Sequence, residues 1–279
     1  MKKIISLFFL LSTFYFLHSP LRTAFAQSPE LKSAKQDVAD SVDKLAGDKE
    51  NVDVRRQALE KVINFSIIET QDLIKKISVF KNLPPNYVQL QSLLLDNLEA
   101  SVEYQKEFLT RLTPDLTIDQ IKALAAEFKD WRETVLITEL KKALNFVLAF
   151  QASAILKISD TRFENISSDL RRLKTSRIIN VQLLQPLLQG AGKDLQDARL
   201  LHNQVLDALL DYLPAATSTV ATSTLPSAGS SEAASSTISI SQAPLDIPPL
   251  ISGILGKIME AYKKFLAMSQ AVDRMIERQ

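Results

Sequence analysis

Residues 184–212, LQPLLQGAGKDLQDARLLHNQVLDALLDY, decide the fold. Leu184, Ala191, Ala198, Val205 and Tyr212 recur every seven residues and interleave with Leu188, Leu195, His202 and Leu209. An apolar heptad repeat draws one continuous seam along a helix, and such a seam needs one or two partner helices to bury it. Asn180 suits the N-cap. Pro186 fits two readings, either as a first-turn residue of a helix that begins there or as a bend in a longer one, and Gly190 and Gly192 weaken the stretch further.

A matching seam lies at the C-terminal end. Ile251, Ile258, Phe265 and Val272 interleave with Leu255, Tyr262, Ser269 and Ile276, while Lys257, Lys263, Lys264, Asp273 and Arg278 stand off it. The economical docking site for this helix is the 180–212 helix and the one before it, a three-helix coil with a long insertion in its last connection. That insertion, residues 214–249, is dominated by Ser, Thr, Ala and Pro, with Glu232 and Asp246 as its only charges. It has too little apolar surface to offset an ordering entropy of ~1–2 kcal/mol per residue, so it reads as a disordered tether.

Upstream, Ser28-Pro29 pairs an N-cap with a proline at the first helical position, opening a weakly apolar helix that Gly47 stops. A stronger helix starts near Asp53, with Leu59, Val62, Ile63, Ile67, Ile74, Ile77 and Phe80 on one face, and ends at Leu83-Pro84-Pro85. The next runs from about Asn86 to Leu112 through Leu90, Leu94, Leu98, Val102 and Phe108, and the short connection predicts an antiparallel hairpin. Thr117 with Gln120 three residues on is a capping-box signature for a helix through Ile121, Leu124 and Phe128, with Trp131 at its far end. Residues 143–156 carry no charge. They are too few for the ~20 residues of a membrane span, so they read as the buried centre of one helix of about 40 residues, ~60 Å long, or of two with a slight bend.

The expected fold is therefore all-α: an elongated bundle of long antiparallel amphipathic helices, coiled-coil-like in its hairpins. Its expected divisions are a signal peptide at 1–26, a helical bundle at 27–213, the linker at 214–249 and a docking C-terminal helix at 250–279. The first of these rests on Lys2 and Lys3, the apolar run Ile4 to Leu17, and the small-residue cleavage site Ala24-Phe25-Ala26 before Gln27. An uncleaved leader would instead leave the chain anchored at the inner membrane. Of 279 residues, six are glycine and none is cysteine, which excludes disulfides, thiolate metal sites and a lipid-bearing cysteine. Losing Lys2, Lys3 and Arg22 with the leader turns a net charge of +1 into −2, no polycation for nucleic acid.

The search for chemistry is mainly one of exclusion. His18 leaves with the leader, so His202 is the sole imidazole of the mature chain, and its seam position reads as a boundary residue with one satisfied ring nitrogen. Ser41-Val42-Asp43-Lys44 and Ser78-Val79-Phe80-Lys81 both match S-x-x-K without the companion S-D-N or K-T-G elements. Gly190-Ala191-Gly192-Lys193 lacks the spacing of a phosphate loop, and no E-x-x-H or calcium-loop pattern occurs. Asn64-Phe65-Ser66 and Asn165-Ile166-Ser167 are formal glycosylation sequons on predicted helices. Trp131, beside Phe128, Arg132 and Glu133, reads as a core anchor.

The block Ile121-Lys122-Ala123-Leu124-Ala125 to Trp131-Arg132-Glu133, then Arg162-Phe163-Glu164-Asn165-Ile166 with Asp169-Leu170 and a Thr-Ser-Thr tether, resembles exported all-helical proteins of unassigned function from ultrasmall candidate-phylum bacteria. The resemblance spans most of the mature chain and implies helices and export, with no activity attached. The expected function is a non-enzymatic, extracytoplasmic scaffold or interaction protein of the cell envelope, with no catalytic, metal or cofactor residues assigned and an envelope protein as partner. Two alternatives stand beside it. In one, residues 250–279 leave the bundle and lie on lipid; in the other, distant carboxylates pair to form a hydrolase without histidine.

Overall fold

The computed structural model describes residues 28–48, 50–176, 180–213 and 246–277. The leader and most of the 214–249 segment lie outside these residues. What is described is all-α, with no strand among the described residues. In chain order the helices are α1 (Pro29–Gly47), α2 (Val52–Ser78), α3 (Pro85–Arg111), α4 (Ile118–Trp131), α5 (Ile137–Ser176), α6 (Gln185–Leu210) and α7 (Ile247–Glu277).

The predicted caps at Ser28, Thr117 and Asn180 form, and Asn51 supplies a further one. Ser28 Oγ accepts from the Leu31 amide at 3.2 Å. Asn51 Oδ1 accepts from the amides of Asp53 and Val54, and Thr117 and Gln120 close a reciprocal capping box. Each cap satisfies amide donors that a helix start otherwise leaves unpaired. Pro186 lies in the first turn of α6, and the preceding Val181–Leu184 forms one 3₁₀ turn capped by Asn180, which settles the choice between start and bend. Between α2 and α3 the chain reverses through Asn82 at φ 57°, a left-handed conformation that asparagine tolerates better than most residues. Gln91 Nε2 donates to the carbonyls of Ile77 and Phe80, occupying acceptors at the end of α2.

Ion pairs and ring contacts give the helix directions. Thr70 meets Gln105 and Ile77 meets Gln91, so α2 and α3 are antiparallel. Arg111 meets Glu127, Tyr104 meets Trp131 and Asn97 meets Glu139, so α3 is antiparallel to the α4–α5 rod. At the other end, Asp160 pairs with Arg199 and Asn145 with Tyr212, and Asp197 pairs with Lys257 and Asp194 with Lys264, so α5, α6 and α7 alternate in direction. Two three-helix stacks thus share α5, whose 40 residues span ~60 Å.

A five-residue π turn, Arg132–Leu136, joins α4 to α5 without a break in the rod. Phe128 and Leu136, eight residues apart, would sit about 80° out of phase on an uninterrupted α-helix at ~100° per residue. The extra residue of a π turn brings them to within ~20°. Both are buried, Phe128 in a distal core with Leu59, Ile63, Ile67, Val102, Phe108, Ile121 and Leu124. The main core runs from Ile77, Leu90, Leu94 and Leu98 through Phe146 and Val147 to the seams of α6 and α7. In the neighbouring layer of α2 and α3, Gln105 Nε2 donates to Thr70 Oγ1, and the Thr70 hydroxyl donates to the Ser66 carbonyl, all three residues being fully buried.

The C-terminal helix differs from expectation in two respects. It begins at Ile247, with Pro248 and Pro249 in its first turn where no amide donor is needed. Its buried line is Ile251, Ile254, Ile258, Ala261, Phe265, Met268 and Val272, so the second register is 254/261/268. Leu255 and Tyr262 flank it half-buried, because two neighbouring helices widen the covered face beyond a two-strand seam. The side chain of Ile276 lies outside the described ones. Gly190 and Gly192 also do more than weaken α6. A Cβ at Gly192 would lie 3.1 Å from Phe163 Cζ and one at Gly190 3.0 Å from Lys264 Cε, so the missing side chains make room for both neighbours.

Candidate functional site

The sole described imidazole is locked into packing. His202 is 7% exposed on α6, with Nε2 3.1 Å from the Ala149 carbonyl. Burial lowers its pKa, and the bond to that carbonyl only partly opposes the shift. A neutral imidazole spent on a backbone carbonyl matches the boundary role expected from its seam position. Both S-x-x-K serines are likewise occupied: Ser41 Oγ donates to the Asp37 carbonyl at 2.7 Å, and Ser78 Oγ donates to the Ile74 carbonyl at 2.8 Å. Ser66 of the first sequon is fully buried.

Trp131 sits where a core anchor belongs. Its ring centroid lies 4.8 Å from that of Tyr104, 6.0 Å from Phe128 and 6.3 Å from Phe108, an aromatic group tying α3 to α4. Arg111 reinforces the same junction with two bonds to Glu127, at 2.7 and 2.5 Å, which hold the Glu127 carboxyl below its ordinary pKa. The pair is exposed, so its contribution to stability is small.

On the other side of α4 a groove of about 560 Å³ opens between α1, α2 and α4. Its floor is apolar. Leu59, Val62 and Phe65 come from α2, and Ile121, Ala125 and Phe128 from α4. The far wall is the apolar edge of α1, Val38, Val42 and Leu45, at helical spacing on one face. Val42 remains 50% exposed, so this edge stays partly open among the described residues. Arg55, Lys122, Lys129, Arg132 and Glu133 complete the lining, with Asp119 and Glu69 as partners of Lys122 and Arg132.

Arg132 is the first residue of the π turn and spans the groove's end. It donates to Ser66 Oγ at 3.4 Å and to Glu69 Oε2 at 2.7 Å, linking α2 to the rod. Lys122 and Lys129 are held more loosely. Their partners are Asp119 at 3.3 Å and Glu133 at 3.9 Å, and all four side chains are more than half exposed. Exposed pairs of this kind contribute ~0–1 kcal/mol, so both ammonium groups exchange partners at little cost.

Sequence reading assigned no site residues and overlooked this groove. The available signal was Val38, Val42 and Leu45 in an otherwise polar helix, together with the small Ala125 between Ile121 and Phe128. A shallower depression on α3 gathers Asp96, Glu99 and Glu103 beside Gln71, with Lys106 paired to Glu103 at 2.7 Å. Among the described residues no group of three or more His, Asp or Glu has metal-holding geometry, and no helix is long and apolar enough to cross a membrane. No family model, no curated protein and no solved structure matches the chain.

Proposed function

We propose that the protein is a non-enzymatic helical scaffold or interaction protein of the bacterial cell envelope, working outside the cytoplasm after export. The observation that carries this reading is the groove between α1, α2 and α4, a concave surface with apolar walls from three helices. Clefts of ~300–1,000 Å³ with apolar walls and a few placed polar groups are the usual form of a binding site. The occupied state of His202 and of both S-x-x-K serines supports a binding role over a reactive one. On this reading α5, α6 and α7 form a coiled-coil-like spine that holds the groove end rigidly.

The membrane-peripheral alternative draws on Met259 and Leu266, which α7 exposes at 58% and 49%. It has less support, because the remaining apolar face of that helix is spent on α5 and α6.

A photo-crosslinking residue at Val42 tests the proposal in cells, with the same residue at the exposed Leu200 of α6 as reference. The expected result is a discrete adduct from position 42, absent from position 200, on envelope-fraction protein whose N-terminus is Gln27. Cytoplasmic protein with Met1 intact, or identical adducts from both positions, overturns it.

A further inference from the structure

We propose that the end of the α5–α6–α7 spine rests on an anionic lipid bilayer through Arg171, Arg172, Lys174, Arg274 and Leu183, with α7 still docked in the bundle. This surface lies at the far end of the molecule from the groove and is independent of what the groove holds.

Register brings these residues to one end. The Arg162 guanidinium stands over the ring of Tyr262, and the ring of Phe163 faces that of Phe265, so α5 and α7 run side by side in the same direction. Continuing both helices from those contacts puts Arg171, Arg172 and Lys174, in the last two turns of α5, level with Arg274 in the last turn of α7. The 3₁₀ turn Val181–Leu184, which leads into α6 at the same end, leaves Leu183 64% exposed.

The charge at this end is in excess of its local pairing. All four cations are exposed. Arg172 pairs with Asp169 at 3.7 Å, the two side chains being 80% and 49% exposed, and such a pair exchanges partners easily. Arg171 Nε donates to the Ser167 carbonyl of its own helix at 3.3 Å. Among the described residues no carboxylate forms an ion pair with Arg171, Lys174 or Arg274, and Asp169 and Asp273 are the acids at this end. Cations in a last turn offset the dipole of their helix, which accounts for Lys174 and Arg274. Arg171 and Arg172 lie further back, where that effect has faded. The opposite stack leans the other way, residues 27–136 holding fifteen Lys and Arg against nineteen Asp and Glu. An anionic plane therefore attracts the rod by its spine end.

Size selects a bilayer over a protein. Three helices of ~10–12 Å diameter present an end of on the order of 300 Å² in cross-section. Even doubled for side-chain relief, that falls short of the ~800 Å² per partner of a specific protein interface. A bilayer asks for no matched shape. Each Lys or Arg near an anionic lipid surface strengthens binding about five-fold, and an exposed leucine among them enters the headgroup layer. The 40 residues of α5, ~60 Å, then separate the membrane from the groove.

The chain has no cysteine, so single introduced labels report each surface. Mature full-length protein carrying an environment-sensitive dye at Leu183→Cys, Val42→Cys or Met259→Cys is titrated with vesicles of phosphatidylcholine, alone or with phosphatidylglycerol at seven parts to three. Binding is expected to the mixed vesicles only, with a blue shift at position 183 and none at 42 or 259. In co-sedimentation of unlabelled protein, Arg171→Glu/Lys174→Glu is expected to weaken binding at least ten-fold and Leu183→Ser at least three-fold. Lys32→Glu/Lys35→Glu changes net charge equally on the exposed face of α1 and is expected to leave binding within about two-fold. Leu183→Ser and the dye positions still read the contact if the charge reversal misfolds. No binding to the mixed vesicles, equal binding to neutral ones, equal weakening by the two charge reversals, or a shift at 259 without one at 183 overturns the proposal.

Discussion

The two terminal helices of the described structure are held to the bundle in contrasting ways. Helix α7 buries Ile247, Ile251, Ile254, Ile258, Ala261, Phe265, Met268 and Val272 over 31 residues, whereas α1 buries Ala34 alone over 19. Yet α1 is well capped by local criteria. Ser28 closes its start, Glu30 sits in its first turn and Lys44 in its last. Caps and charges of this kind are worth roughly 0.3–2 kcal/mol each and shape a helix without docking it. Burying a large apolar side chain contributes about 1.5–3 kcal/mol, and only α7 repeats such residues at spacings of three and four for its whole length. The contrast has a functional side: the lightly held helix is the one that leaves an apolar groove open.

The sharpest way to break this comparison is Phe265→Ala. Phe265 is 4% exposed, 5.5 Å from the ring of Tyr262 and 6.4 Å from that of Phe163. Urea unfolding should show a loss of about 3–5 kcal/mol, the range for truncating a buried aromatic. A variant that unfolds like wild type but no longer binds anionic vesicles would return α7 to the membrane.

Next in size is Gly192→Val, which tests whether the α5–α6 contact is as close as Phe163 requires. Forcing extra methyl groups into that contact should cost about 1–3 kcal/mol in the same assay, and a neutral result would show that Phe163 moves aside. Leu45→Ala probes the other terminal helix. Leu45 is only half-buried, so the expected loss is about 1 kcal/mol, and a loss matching that of Phe265→Ala would erase the distinction between the helices.

The smallest effect concerns pH. Burial depresses the pKa of His202 in the folded state, so the unfolded chain binds the proton more readily. Stability from this residue is complete above the unfolded pKa of about 6.5 and is lost as pH falls through the lower folded value. His202→Gln, which keeps a donor for the Ala149 carbonyl, should flatten the difference between thermal melts at pH 7.5 and pH 5. An unchanged pH slope would assign the acid sensitivity to other groups.

Much of the architecture was legible because it is local. Heptad spacing marked Leu184, Ala191, Ala198 and Val205 as a seam, and all four are buried. Caps at Ser28 and Thr117 announced helix starts because a side-chain acceptor near free amides is a short-range device. The register of α7 was less legible: Leu255 and Ile254 are adjacent apolar residues, and which one turns inward depends on where α5 and α6 lie. The continuity of α4 into α5 was hidden as well, since a π turn carries no composition of its own and is stabilised here by burial on either side of it. The groove was least visible, because no single segment contains it.

By itself, then, the sequence determined that this is an all-helical chain with apolar stripes at 3.5-residue spacing, proline-marked ends, no cysteine and only two histidines. Those properties follow from backbone sterics, from side-chain periodicity along one axis, and from counting. Only the tertiary structure decided that α5 serves two three-helix stacks, that glycines at 190 and 192 admit Lys264 and Phe163, and that three helices line one apolar groove beside Lys122 and Lys129. Such features arise from the relative positions of segments more than a hundred residues apart, as Phe163 and Phe265 are. Periodicity states that a face will be buried; which neighbour buries it, and where burial stops short and leaves a groove, is settled when all the faces compete for cover at once.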